Sequence, residues 1–440
     1  MRRAAPMLAT LFLLLMSLTS APEAQFRAKD PGVRGGDPGV GAPLPGVTKG
    51  QLALFNAGKD AFEEVEGVTD GLGPRFNLDS CAGCHAQPVT GGTSPSRNPQ
   101  ADVIQKFPNN TIPSFITPDG PVREARFKRK PDGTRDGGVH DLFVINCGIA
   151  QEDFATQLAQ NNIIFRIPTP VFGAGLIEQI PDRAIAANQQ ANAAQKTALG
   201  ITGRTVRITV SGDFNKNGND GTIARFGWKA QNKSLLLFTG EAYNVEMGIS
   251  NELFQTEREE AATCQFKTVP NDVTNTETLD LVGGLSDTEK FAAFMRFLAP
   301  PTPSPDTPGG AASIGRGRIQ FGTVGCALCH TPTFQTGNST VEALRNKPVN
   351  LYSDLLVHNM AQTLADGVSQ GEAGPDEFRT APLWGLGQRI FLLHDGRTTD
   401  LVEAIHAHRS LQSEANAVIN RFDLLSEAQK QDLLNFLRSL

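Results

Sequence analysis

Hydrophobic positions recur at helical spacing in three stretches of the chain. From Gln51 to Phe62 they fall at Leu52, Phe55, Ala61 and Phe62, which predicts a helix beginning near Thr48. Later, Leu285-Ser-Asp-Thr-Glu289 leads into Phe291, Phe294, Met295 and Leu298, and this parallels Leu425-Ser-Glu-Ala-Gln429 leading into Leu433, Leu434, Leu437 and Leu440. In both copies the serine caps a helix and the acid or amide three residues on returns the bond. The partial repeat predicts two structural units, each ending in such a helix. Between them lies Ala299-Pro-Pro-Thr-Pro-Ser-Pro-Asp-Thr-Pro308, where proline stops the helix, so residues 300–308 read as a linker.

The remaining pattern is weaker. Thr205 to Val210 alternates like a short strand and runs into a Gly/Asn-rich turn. Within that turn Asp213-Phe-Asn-Lys-Asn-Gly218 reproduces the first half of an EF-hand loop. Ala224 stands at the twelfth position, where the carboxylate belongs, so an Asn/Gly turn is preferred over a calcium site. Residues 25–47 are rich in Pro and Gly and read as a disordered leader or an arm lying on the surface. The expected units are residues 48–299, oversized and carrying insertions, and residues 309–440, compact.

Residues 1–24 read as a secretory signal peptide, from a basic start at Arg2 and Arg3, an apolar run from Met7 to Leu18, and small residues at Ser20, Ala21 and Ala24. No second apolar stretch follows, so no membrane span is expected. Losing Arg2, Arg3 and Glu23 removes a net +1 and takes the formal charge from −6 to −7. The one basic stretch, Arg123 to Arg135, is broken by acids, Pro131 and Gly133 and reads as a solvated loop. Nucleic acid is therefore not an expected partner.

The chemistry lies in the cysteines. Cys81-Ala-Gly-Cys84-His85 and Cys326-Ala-Leu-Cys329-His330 both have the form CxxCH. Two thiols at this spacing reach the two vinyl groups of one haem, and the adjacent histidine reaches its iron. Two covalently bound haem c groups are expected, with His85 and His330 as proximal ligands. Zinc would need four ligands gathered from distant segments, and thiol redox chemistry would not need the histidine twice. Covalent haem behind an export signal points to a bacterial periplasm. Cys147 and Cys264 remain, either as a disulfide or as two buried thiols.

Three further stretches carry a family resemblance: Arg166-Ile-Pro-Thr-Pro-Val-Phe-Gly-Ala-Gly-Leu-Ile-Glu178, Arg225-Phe-Gly-Trp-Lys-Ala-Gln231, and Phe378-Arg-Thr-Ala-Pro-Leu-Trp-Gly-Leu-Gly387 with His394-Asp-Gly-Arg397. With the CxxCH motifs, they make the chain resemble the di-haem oxidoreductases, a peroxidase-like group also labelled thiol oxidoreductase-like. It is more distantly similar to bacterial di-haem cytochrome c peroxidases and to the methylamine-utilisation di-haem enzyme. The resemblance implies a mainly α fold of two cytochrome c-like domains, the N-terminal one enlarged by insertions with some short strands.

In those peroxidases a tryptophan lies between the haems, and an acid in a Val-Glu-Met context follows about twenty residues later. Trp228 is followed by Val245-Glu246-Met247, so the resemblance implies Trp228 as inter-haem relay and Glu246 as distal acid/base. From the residues alone, Glu246 would be a surface or capping carboxylate and Trp228 a core residue. Glu178 is the rival acid. The position of the peroxidases' methionine ligand falls on His408, with His406, Met360 and His358 as further candidates; His394 reads as pocket structure. No histidine follows His85 closely, so an open first haem is expected, with His140 as the nearest candidate gate.

The implied activity is reduction of hydrogen peroxide, or another small oxidant, at the first haem. Electrons would come through the second from a small donor protein, a c-type cytochrome or a cupredoxin. The alternatives are a di-haem electron carrier without catalysis and a high-valent haem oxidase acting on an organic or protein substrate.

Overall fold

A computed structural model describes residues 27–207, 222–258, 261–264 and 270–440. The expected signal peptide, the EF-hand-like hexapeptide and the end of the Thr205–Val210 strand lie outside the described residues. Within them the main regular element is the helix, joined by long irregular segments and by strands of two to four residues.

The three patterned stretches form helices at Lys49–Glu63, Asp287–Phe297 and Glu427–Ser439. Each starts in a capping box, made by Thr48 with Gln51, Ser286 with Glu289, and Ser426 with Gln429. A fourth helix, Gly310–Val324, follows the proline-rich stretch and packs against Glu427–Ser439, as Lys49–Glu63 packs against Asp287–Phe297. The two crossings are built alike. A Cβ placed on Gly58 would lie 2.1 Å from the Lys290 carbonyl oxygen and 2.9 Å from Phe294 Cβ. One placed on Gly317 would lie 1.9 Å from the Asp432 carbonyl oxygen and 2.7 Å from Phe436 Cβ. Four residues after each glycine a phenylalanine meets the same partner, Phe62 with Phe294 at 5.1 Å and Phe321 with Phe436 at 5.4 Å. Gly317→Ala should push these helices apart and cost about 1–3 kcal/mol, as overpacked core contacts do. Chemical denaturation of the variant measures it, with exposed Gly315→Ala as the control.

Glu124–Phe127 is the centre of a three-stranded antiparallel sheet, between Val139–His140 and Ile163–Arg166. The Arg123–Arg135 stretch is therefore not simply a solvated loop, because its first part is a buried strand and Arg126 is buried with it. Charged side chains tolerate this position because they pair: Arg126 donates to Glu124 and to the Gly137 carbonyl at 2.7 Å.

Among the described residues the apolar side chains gather in two large hydrophobic cores and two small clusters. The first surrounds Phe55, Phe76, Phe143 and Phe294 and also takes Leu344, Leu351 and Trp384 from beyond the proline-rich stretch. The second surrounds Phe321, Phe422 and Phe436 and takes Leu199 and Ile201 from before it. The leader is an arm on the surface that fastens to both. Leu44 N–H donates to Phe297 O at 2.7 Å, while Arg34 N–H donates to Gly387 O at 2.7 Å and Asp30 pairs with Arg438. Of the two readings left open for Cys147 and Cys264, the structure has the disulfide.

Candidate functional site

Each CxxCH motif opens onto a cavity. The first has Cys81, Cys84 and His85 on its wall. Cys81–Cys84 forms one helical turn, and the following backbone brings His85 Nδ1 to 3.0 Å from the Gly92 carbonyl oxygen. A carbonyl only accepts, so Nδ1 carries the proton and Nε2 keeps its lone pair. Burial lowers the pKa of this ring to about 4. His330 repeats the arrangement, with Nδ1 at 3.1 Å from Tyr352 O and its pKa lowered by burial to about 4. Fixing one ring nitrogen on a carbonyl is how proteins orient a metal-binding imidazole.

The second cavity is lined by Cys326, Cys329 and His330 and is largely apolar. Arg379 and Arg389 also line it, each lowered by burial to about 10. The hydrogen bonds of Arg379 run to carbonyls of Gly227 and Thr380, and those of Arg389 to carbonyls of Pro382 and Trp384. Buried guanidinium groups held only by carbonyls retain charge for an anionic group. Paired thiols, an oriented imidazole, apolar walls and spare cationic charge fit a haem with its carboxylate side chains.

Trp228 stands in the wall of both cavities, as do Ile167 and Pro168. Its indole N–H donates to Ile167 O at 3.0 Å, and its own carbonyl accepts from Arg379 N–H at 2.9 Å. Just beyond it Lys229 reaches Asp366 at 3.1 Å, and Asp366 also binds Arg166 at 2.8 Å. The indole is thereby tied to segments on either side.

Glu246 also lines the first cavity, from the helix Leu235–Met247. That helix is begun by Ser234 and by Glu178, whose Oε1 accepts from Leu235 N–H at 2.8 Å while Oε2 binds Arg296 at 2.8 Å. Glu178, the rival acid, thus holds the helix on which Glu246 rides. Asn77 Nδ2 donates to Glu246 at 2.9 Å and to Asp141 at 3.2 Å. Burial, and then the neighbouring Glu124 carboxyl, pushes the Glu246 pKa well above the usual carboxylate range. Glu124 goes the other way, because Arg126 and Arg166 outweigh its burial. Neither Glu124 nor Arg126 was singled out from sequence, although the alternation Glu-Ala-Arg-Phe places 124 and 126 on one face of a strand.

The histidines divide. His408 lines the second cavity, with Nδ1 at 2.8 Å from Ala404 O and Nε2 left free, and burial lowers its pKa. Met360 lines it too. His358 lies 2.8 Å from Glu414 and 3.0 Å from Asp354 through its two ring nitrogens, so both nitrogens are engaged. His394 stacks on Phe378 at 4.4 Å and meets Trp228 edge-on at 6.3 Å, as part of the pocket wall. His406 pairs with Asp423 at 3.0 Å in an exposed position, away from the cavity. His140 stacks on Phe127 between Asp136 and Glu152 and does not line the first cavity.

Residues 100–440 match the family model described as "Di-haem oxidoreductase, putative peroxidase". No curated protein matches the chain. Among solved structures, hydrazine synthase of Kuenenia stuttgartiensis, in a structure pressurized with xenon, is similar at 13% identity and a TM-score of 0.38. The match covers 98% of this chain and 100% of that one.

Proposed function

Because the chain belongs to the di-haem oxidoreductase family, we propose that it is a periplasmic di-haem c-type enzyme that reduces hydrogen peroxide. In this reading Cys81, Cys84 and His85 hold the first haem, and Cys326, Cys329 and His330 hold the second. Two cytochrome c-like units, residues 48–299 and 309–440, carry them, and the matching glycine–phenylalanine crossings at Gly58 and Gly317 support that division. No helix among the described residues is long and apolar enough to cross a membrane. The donor would be a small c-type cytochrome or cupredoxin.

The observation that carries the reading is the asymmetry of the two cavities. The first has a buried, protonatable carboxyl and, among the described residues lining it, His85 is the one histidine. The second is largely apolar and offers the free imidazole nitrogen of His408. An open first site and a closed second one follow, with substrate at the first and electrons entering at the second.

When bound, the haem irons supply the redox equivalents and the Lewis-acid site for peroxide. The protein supplies geometry and protons. Glu246 moves a proton from one peroxide oxygen to the other as the O–O bond breaks, a transfer worth about 10²–10⁴-fold in rate. Trp228, held by Ile167, closes the gap between the cavities. His85 and His330 stay neutral because burial disfavours their charged forms, leaving Nε2 available.

Mixing fully reduced protein with peroxide under anaerobic conditions tests this. The reading expects rapid oxidation of both haems by one equivalent of peroxide; an electron carrier would leave them reduced, or oxidise them slowly and without saturation. The ligand assignment has its own test. His408→Met should raise the midpoint potential of the second haem, since histidine–methionine ligation lies higher than bis-histidine. Spectroelectrochemical titration reads it, and an unchanged potential would direct attention to Met360.

A further inference from the structure

Glu246 does not stand alone in the first cavity. Glu124 lies on the same wall, and its carboxyl is in hydrogen-bonding contact with that of Glu246. Two carboxylates both accept, so this contact exists only with a proton between them. The groups around the pair are unequal. Glu124 is ion-paired with Arg126 from its own strand and feels Arg166 from the neighbouring strand. Glu246 receives one amide N–H from Asn77 and faces Asp141, which is itself buried and paired with Arg258 at 3.2 Å. Glu241, five residues before Glu246 in the same helix, adds a further acid on the cavity wall, and its side chain accepts from Asn232.

Resting on the peroxidase reading above, we propose that Glu124 and Glu246 act as a dyad sharing one proton, with Arg126 assigning that proton to Glu246. A lone carboxylate must first take a proton from peroxide and then return it. The dyad begins with an acid and a base already in contact. As the O–O bond breaks, Glu246 gives its proton to the departing oxygen, which leaves as water. The proton on the remaining oxygen passes into the dyad, with Glu124 as the receiving carboxylate. The dyad's proton count is unchanged across the cleavage. The second water then forms from the oxygen left behind with two electrons arriving through Trp228 and two protons from solvent, so that H₂O₂ + 2e⁻ + 2H⁺ gives 2H₂O.

The test uses the intact di-haem protein and its Glu124→Gln, Glu124→Asp and Glu246→Gln variants, with two readouts. Infrared difference spectra at neutral pH should show a protonated-carboxyl band that is lost in Glu246→Gln. In Glu124→Gln that band should shift, because its partner changes from carboxylate to amide. Rates of reaction with peroxide and with cyanide, which enters as HCN and must shed a proton, should fall about 10²-fold in Glu124→Gln. They should recover in part in Glu124→Asp, with the pH profile displaced. A band indifferent to Glu124→Gln, or rates and pH profile unchanged while Glu246→Gln is impaired, would overturn the dyad and leave Glu246 acting alone. Full rates in Glu246→Gln as well would remove both carboxyls from the chemistry and overturn the dyad, whereas wild-type protein that peroxide leaves reduced would overturn the peroxidase reading on which the dyad rests.

Discussion

Replacing Glu246 with glutamine is expected to lower the second-order rate of peroxide reduction by about 10²–10⁴-fold, the range lost when a positioned general acid–base is removed. Glutamine has nearly the shape of the protonated carboxyl. Its amide oxygen can still accept from Asn77, which donates to Glu246 at 2.9 Å, and its amide N–H can donate to the Glu124 carboxylate. Packing and the local network should survive, and what is lost is the ability to release a proton. Haem content and the visible spectrum of the resting protein should match wild type. Stopped-flow mixing with peroxide measures the rate, and a loss smaller than threefold would remove Glu246 from the chemistry. Glu178→Gln offers a contrast. Its carboxyl binds Arg296 and caps the helix carrying Glu246, so it should act on stability more than on rate.

The second large effect concerns the arm. Asp30→Ala should destabilise the protein by about 3–5 kcal/mol, as expected when one partner of a buried ion pair is removed. Arg438 is 1% exposed, and Asp30 is its carboxylate partner, reached by Nε at 2.8 Å and Nη2 at 2.6 Å. The carbonyls of Leu386, Arg389 and Thr399 satisfy further N–H groups but do not neutralise the charge. Burial works to raise the Asp30 pKa, but Arg438 and the N–H groups of Gly32 and Leu401 outweigh it and hold the carboxyl below its ordinary value. A lowered folded pKa means that this stabilisation is complete above the unfolded value of about 3.9 and is lost as the pH falls through the folded one. Denaturant titration at neutral and acid pH measures it. The difference between wild type and Asp30→Ala should shrink in acid. Asp30→Ala with Arg438→Met should be more stable than Asp30→Ala alone, because the stranded charge has gone.

What was legible in the sequence is what is local. The capping boxes at Ser286 and Ser426 span four residues, and the CxxCH motifs span five, so both could be read directly. Trp228 and Glu246 were reached through family resemblance and not through their own chemistry, since a lone tryptophan or glutamate carries no signal. The residues that went unread owe their roles to long-range contacts. Glu124 meets Glu246 across more than a hundred positions, and Asp30 meets Arg438 across the length of the chain. Arg126 was hidden for another reason. Its strand lies inside a charged stretch, so composition suggested solvent while the alternation of Ala125 and Phe127 indicated a buried face. The glycine–phenylalanine repeat at Gly58/Phe62 and Gly317/Phe321 was present in the sequence at equal spacing. It gains meaning only when the partner helix is seen at contact. His358 had a readable clue, Asp354 four residues earlier, which engages one ring nitrogen while Glu414 engages the other.

The central claim is that the two irons differ, one open to substrate beside Glu246 and one closed by His408. Electron paramagnetic resonance of the mature di-haem protein tests it most directly, as isolated and after one-electron reduction, with cyanide and peroxide added to each. The account predicts a high-spin ferric signal from the first haem that cyanide converts to low spin and peroxide removes, beside a low-spin signal that neither ligand changes. Two low-spin haems, indifferent to both ligands in either redox state, would contradict it and leave a carrier of electrons.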